Sequence, residues 1–286
     1  MANLKEIRNR IASIGSTMQI TSAMKMVSAA KLKKAQDAIT AMRPYSSKLT
    51  ELLQNLSATL DSDAGGAYSK QREVSKVLLV VVTSNRGLCG GFNSSVIKET
   101  TQNIAANYQD VDVDLLTIGK KGNDILSKSY SVIDARNDIF DNLTFDFVAE
   151  VAEKIMNLYV DGTYDKIEII YNRFKNAATQ IPQVEQFLPI KPVEGDTNAS
   201  ADYIFEPSKE KIVLELIPKS LKTQLYKAVR DSFAAEHGAR MTAMHKATDN
   251  ATELRDELKL TYNKARQAAI TNEILEIVGG AEALKN

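Results

Sequence analysis

The stretch from about Lys219 to Leu284 places the tightest limit on what this 286-residue chain can form, because nothing credible stops a helix within it before Gly279-Gly280. Met241, Met244, Thr248 and Ala251 recur at spacings of three and four, and so do Ile270, Ile274, Ile277, Ala281 and Leu284. A narrow apolar seam of that period belongs to a coiled coil rather than to a helix lying on a globule. At ~1.5 Å per residue, about 60 residues make a rod roughly 90 Å long. No ordinary domain is that wide, so much of the rod needs a partner outside its own globular part.

Residues 1–60 predict a second long helix. Leu4, Ile7, Ile11, Ile14 and Met18 keep a strict three-four rhythm, after which the register shifts and Met24 and Val27 resume it from a new phase. A slip of that kind unwinds a coiled coil locally without ending it. Gly15 softens its turn by about 1 kcal/mol relative to Ala, and Pro44 is expected to kink or restart the helix near Arg43. Helix at both chain ends suggests that the ends pair antiparallel. Homodimerisation through each helix fits the seams as well.

The middle alternates. Asp61–Ala67 reads as a linker. Val77–Thr83 is a continuous apolar run, as in a strand covered on both faces. A helix is expected over Ser95–Tyr108, a strand over Val111–Ile118, a short helix over Gly122–Ser127, an amphipathic helix over Phe145–Val160 and a strand over Lys166–Tyr171. Shorter strands are expected at Val184–Ile190 and Tyr203–Phe205, with a loop around Gly195. The fold class is therefore α/β: a Rossmann-like central domain with a mainly parallel sheet, between helical ends that form a long coiled coil. The domain limits are 1–60, 61–207 and 208–286. Pro207 and Pro218 leave the start of the last helix at Ser208 or Lys219.

Charge and composition narrow the function. No apolar run approaches the ~20 residues that cross a bilayer, and the start of the chain has no secretory pattern. The zero net charge hides a division: residues 1–60 carry nine basic and three acidic side chains, residues 219–286 eleven and nine, and the middle is net −8. A basic helical part suits nucleic acid, anionic lipid or acidic protein loops. Residues 1–44 contain no aromatic side chain to stack on bases, which favours an acidic protein surface over nucleic acid. A merely solvated face fits too.

No catalytic constellation emerges. Gly87-Leu-Cys-Gly-Gly follows a buried strand and precedes a helix, where phosphate-binding loops sit. It matches neither nucleotide-binding glycine motif, so a tight strand-to-helix turn is the expectation. Cys89 is the sole cysteine; it can form no intrachain disulfide, and no nearby histidine activates it. His237 and His245 are eight apart, not four, and do not chelate a metal together; Glu236-His237 is expected to be a packed polar pair. Met18, Met24, Met26, Met241 and Met244 read as adaptable helix-packing surface. Catalytic, cofactor-binding and metal residues are all expected to be absent.

Three stretches resemble one family, the gamma subunit of F-type ATP synthases. They are Met18-Gln-Ile-Thr-Ser-Ala-Met-Lys-Met-Val-Ser-Ala-Ala-Lys-Leu, Asn85-Arg-Gly-Leu-Cys-Gly-Gly-Phe-Asn, and Glu236-His-Gly-Ala-Arg-Met-Thr-Ala-Met-His-Lys-Ala-Thr-Asp-Asn-Ala with Tyr262-Asn-Lys-Ala-Arg-Gln-Ala-Ala-Ile-Thr-Asn-Glu-Ile. The likeness spans the chain in order. Asn85 replaces the usual Asp, Ser22 a common Lys and Gly238 a usual Ala.

The resemblance implies a central rotor shaft: an antiparallel coiled coil set in a hexamer of alpha and beta subunits, with the α/β domain holding the epsilon subunit and the membrane ring of c subunits. Rotation driven by proton or sodium flow would then act on catalytic sites that lie on those partners. It implies subunit contacts through Lys25, Met26 and Lys31, and through Arg266, Gln267 and Thr271. Ile274, Leu275, Ile277 and Val278 make the tip apolar round more than one stripe, which an apolar sleeve would explain. A peripheral place on the cytoplasmic face of a bacterial inner membrane is the matching expectation, with no cofactor and with membrane contact only through the complex. Two other readings stand beside it, a coiled-coil adaptor with an α/β docking domain and a nucleotide-dependent enzyme using the Gly87 turn.

Overall fold

The computed structural model describes residues 4–57, 66–190 and 209–283. Its elements in chain order are α1 (Leu4–Ser57), a short 3-10 turn (Gly66–Tyr68), β1 (Lys76–Val82), α2 (Phe92–Asn107), β2 (Asp112–Ile118), α3 (Lys120–Leu126), β3 (Ser131–Arg136), α4 (Phe145–Val160), β4 (Lys166–Phe174), β5 (Gln180–Leu188) and α5 (Lys209–Ala283). They divide into two compact units, Met1–Ser28 with Met241–Asn286, and Ala29–Arg240. The strand expected at Tyr203–Phe205, the loop at Gly195 and most of the linker lie outside the described residues.

The larger unit is built on a five-stranded sheet of order β3-β2-β1-β4-β5, parallel through β4, with β5 antiparallel at the edge. Successive residues of a strand face opposite sides, and the apolar run of β1 serves both. Leu78, Val80 and Val82 join α4 and the α5 side chains Ile217, Leu221, Leu225 and Val229. Val77, Leu79 and Val81 pack instead with Val96 and Ile104 of α2 and Leu126 of α3. The central strand is thus covered on both faces, which is why it carries no polar alternation. Glu168 of β4 points to the α2 side, where Asn103 donates to it at 2.9 Å and Lys166 pairs with it at 2.8 Å.

Several expectations need correction. β3 is an edge strand outside the expected set: its exposure alternates along Ser-Val-Ile-Asp-Ala-Arg, and among the described residues no strand pairs with its outer edge. β5 runs longer than expected and contains Pro182, which a sheet edge tolerates because no ladder partner needs its missing N–H. Helix α1 passes through Pro44 without a break. Both Pro44 and Thr40, the residue whose carbonyl loses a donor, are exposed, so water can serve that carbonyl. Helix α5 has begun by Lys209 and passes through Pro218. The buried stripe from Ile217 to Val229 offsets the ~3 kcal/mol cost of an interior proline. Gly279 and Gly280 also lie within α5, not at its end.

In the smaller unit α1 and α5 pair antiparallel. Arg8 donates to the Tyr262 hydroxyl at 2.7 Å, Thr252 and Arg255 donate to the Met18 sulfur at 3.4 and 3.5 Å, and Thr21 meets Thr248 at 2.8 Å. Residue numbers therefore fall on one helix as they rise on the other. Leu4, Ile7, Ile11, Ile14, Met18, Thr21, Lys25 and Ser28 of α1 are shielded in a three-four rhythm, with Gly15, Ser22 and Met24 half-buried beside it. Met24 is shielded as expected. Small polar residues occupy the seam where the apolar count lapses, and Val27, expected in the seam, is 57% exposed. On α5 the matching positions are Met244, Thr248, Ala251, Arg255, Leu258, Tyr262, Ala265 and Ala269.

Candidate functional site

Parallel sheets take ligands where neighbouring connections leave toward opposite faces. In the order β3-β2-β1-β4 that place is the crevice beyond the carboxyl ends of β1 and β4, and the Gly87 turn lies at it. The turn is tight: Leu88 has φ 61° and Gly90 φ 59°. Asn93, in the first turn of α2, staples it to the end of β1, accepting from Ser84 N at 3.0 Å and donating to Cys89 Sγ at 3.3 Å. Asn85 bridges two further loops, donating to Asn137 O at 2.7 Å and accepting from Lys120 N at 3.0 Å.

The crevice is filled by the chain itself. Cys89, Phe92 and Phe174 pack with Ala235 and Ala239 of α5, and Asn172 of β4, wholly buried, donates to Phe92 O at 2.8 Å. Arg240 donates to Arg86 O at 3.0 Å and to Gly87 O at 3.3 Å, and its other amino group pairs with Glu236 at 2.6 Å. The expected Glu236–His237 pair does not form. Glu236 pairs with Arg240, one turn on along α5, whereas His237 packs edge-on to Phe233 at 4.5 Å with its Nδ1 3.4 Å from Arg240. A guanidinium only donates, so an Nδ1 facing it accepts, as in a neutral ring, while the buried Nε2 meets no partner among the described residues. Burial first, and then Arg240 and Lys31, push the His237 pKa down to about 3. Burial pushes Glu236 up.

Cys89 is buried, and desolvation raises its thiol above the ordinary value. A buried, protonated thiol is a packing group, not a nucleophile. Gly238 has a packing role that the sequence did not disclose: a Cβ there would lie 3.1 Å from Ala177 Cα and 3.3 Å from Phe174. Among the described residues no cluster of His, Cys, Asp or Glu could hold a metal, and no helix is long and apolar enough to cross a membrane.

The residues expected to meet partners are mostly at the surface. Met26 is 65% exposed; Lys25 is half-buried at its seam position and Lys31, in the larger unit, is exposed. Arg266, Gln267 and Thr271 are exposed, and the Thr271 hydroxyl donates back to Gln267 O at 2.9 Å. Ile274, Leu275, Ile277 and Val278 are each more than half exposed. By the progression of the cross-helix contacts, Leu4 lies level with about residue 266, so the tip of α5 extends past the described start of α1.

The exposed apolar stripe is not the seam continued. Carrying the rhythm of Leu258, Tyr262, Ala265 and Ala269 forward lands on Asn272, Glu276 and Gly279. Ile270, Ile274, Ile277 and Val278 stand on another side of the helix, where they can only serve a different surface. Ile20 and Val27 of α1, 60% and 57% exposed, likewise stand off the seam. Carrying the three-four count through Thr21 and Ser28 would have revealed these two residues from the sequence.

A family profile described as ATP synthase matches residues 3–284. The ATP synthase gamma chain of Flavobacterium psychrophilum is 75% identical over 286 residues, the whole of both chains. That of Cytophaga hutchinsonii is 54% identical over 295 residues, again covering both completely. A chain in the central stalk/c-ring structure of the Tetrahymena thermophila mitochondrial ATP synthase is similar with a TM-score of 0.60 at 27% identity, over 80% of this chain and 99% of that one. A chain of the Euglena gracilis mitochondrial ATP synthase rotor shares the fold, with a TM-score of 0.69 at 23% identity over 93% and 98% of the two.

Proposed function

We infer the working parts of this chain from the premise that it belongs to the gamma-chain family of ATP synthases. It is the central shaft of the rotor. In our reading the shaft has three parts: the helix to about residue 60, an α/β body over 61–207 and the returning helix over 208–286. The tip and upper helices turn inside a hexamer of alpha and beta subunits, and the α/β body holds the epsilon subunit and the c ring. ATP is made and hydrolysed on the partner subunits, and this chain carries rotation to them from proton or sodium flow. In this arrangement it sits peripherally at the cytoplasmic face of the bacterial inner membrane.

The observation that carries this reading is the apolar stripe of Ile270, Ile274, Ile277 and Val278, exposed and off the seam. A large apolar patch on a soluble surface marks an interaction site, and a stripe along a helix tip suits a surrounding apolar collar. Lys25, Met26, Lys31, Arg266, Gln267 and Thr271 are the polar and flexible contacts we assign to acidic loops of the hexamer. The filled crevice at the Gly87 turn supports placing nucleotide chemistry elsewhere.

Purification from the source organism with accompanying proteins tests the assignment. Alpha and beta subunits at three copies each per copy of this chain are expected. A homodimer, or a complex without ATPase subunits, would favour the adaptor reading. Calorimetry of the isolated chain with ATP is expected to show no binding; saturable binding lost on altering the Gly87 turn would favour the enzyme reading.

A further inference from the structure

We propose that Thr21 and Thr248 help fix the axial register of the paired helices, acting as a directly bonded hydroxyl layer of the seam that disfavours slippage by a heptad. Both seams are regular, so a displacement of seven residues still brings seam to seam. Such a slip moves the helices past one another by roughly 10 Å. Apolar positions alone discriminate weakly between the two alignments, because Leu, Ile, Ala and Met accept one another as neighbours. A buried polar group discriminates strongly, and a single polar layer is the device by which coiled coils specify register.

The layer has the chemistry for that task. Thr21 is 8% exposed. Thr248 donates to Met244 O at 2.8 Å, which leaves its oxygen lone pairs free to accept, and the Thr21–Thr248 oxygens are 2.8 Å apart. Thr21 has a longer alternative acceptor in Met18 O at 3.2 Å. One proton per hydroxyl therefore satisfies the layer: Thr248 donates along its own helix, and Thr21 donates across. A slip one heptad toward the α1 amino terminus would set Thr248 against Ile14 and Thr21 against Met241. That alignment removes the Thr21–Thr248 bond, together with the Arg8–Tyr262 contact nearer the end of the pair. A hydrogen bond of this class weights the two alignments by roughly ten-fold.

Nitroxide labels on the full chain read the register directly. Ser13 and Glu257 are exposed and lie level in the native pairing, whereas Asp249, also exposed, lies level with Ser13 only after the slip. Cys89, the only native thiol, is buried. Distances between Ser13→Cys and Glu257→Cys, and between Ser13→Cys and Asp249→Cys, are measured by pulsed electron resonance. In the otherwise native chain and in Thr21→Ser/Thr248→Ser, each pair is expected to give one narrow distance. Thr21→Val/Thr248→Val, isosteric but unable to bond, is expected to add a second population of about a tenth or more. In that population the first pair lengthens and the second shortens. A single unchanged distance in the valine variant overturns the proposal, as does equal slippage in the serine variant. Loss of helical circular dichroism in the valine variant also counts against it, because an apolar seam position should strengthen the pair.

Discussion

Arg240 and Glu236 form an ion pair at 2.6 Å inside the larger unit, both less than a tenth exposed, with the guanidinium reaching on to two carbonyls of the Gly87 turn. Removing one member leaves the other charged and desolvated. Arg240→Met is expected to cost about 3–5 kcal/mol in chemical denaturation. Arg240→Met/Glu236→Met removes both charges and is expected to cost less than the single change. A double variant less stable than Arg240→Met would show that the pair is not what stabilises this contact.

Asn85 needs an amide. It donates to Asn137 O and accepts from Lys120 N, and a carboxylate can do only the second. Asn85→Asp turns the attraction to Asn137 O into repulsion, and a loss of about 1–3 kcal/mol is expected. Thermal melts at neutral pH check it, and an unchanged midpoint would mean that the loops reorganise freely around the substitution.

Two helical glycines should respond differently to alanine. A Cβ at Gly15 meets nothing within 4 Å, whereas one at Gly238 meets Ala177 Cα at 3.1 Å. Gly15→Ala is expected to stabilise by about 0.5–1 kcal/mol. Gly238→Ala gains the same backbone benefit but must push the β4–β5 turn away, so its net change is smaller or negative. Equal stabilisation in parallel denaturation curves would remove the packing role of Gly238.

His237 gives stability a pH dependence. Its folded pKa is pushed down to about 3, so above its ordinary value of about 6.5 it is neutral in both states and contributes no slope. Below that, the unfolded chain takes up a proton that the folded chain refuses. The folded state loses up to about 1.4 kcal/mol per pH unit as pH falls toward 3. Glu236, pushed up by burial, acts in the opposite sense at the acid end. His237→Gln removes the histidine slope while keeping an acceptor. Melting midpoints of the two proteins between pH 7 and 5 should diverge, the native chain losing more; parallel curves would show that the ring protonates freely.

Single truncations at the tip should be tolerated. Swinging a two-state element fully across takes ~5.5 kcal/mol of differential contact, which about 220 Å² of apolar surface supplies. The tip exposes Ile270, Ile274, Leu275, Ile277 and Val278, so one loss leaves ample surface. Ile274→Ala and Leu275→Ala assemblies are expected to rotate in single-molecule assays with ATP, and complete arrest of either contradicts the distributed contact.

The sequence announced what depends on local pattern. Phe145–Val160 forms a helix with the limits its apolar face suggested, and the run expected as a strand over Val77–Thr83 is the central strand, set one residue earlier at Lys76–Val82. Composition misled where burial was incomplete or the deciding contact lay far along the chain. β3 lacks an apolar run because it is an edge. Thr21 and Ser28 looked like gaps in a seam because their hydroxyls are satisfied by main-chain or cross-helix partners that only the folded pair reveals. Arg240 reaches Arg86 and Gly87 across about 150 residues of chain, a pairing that no local window contains.

The plugged crevice between β1 and β4 determines how the body can be addressed. A sheet of this order is usually a receptor, and here its mouth is shut by Phe92, Phe174, Ala235 and Ala239 of the same chain. A ligand entering there would first have to displace those side chains. Opening the mouth would mean lifting α5 from the turn that Arg240 holds.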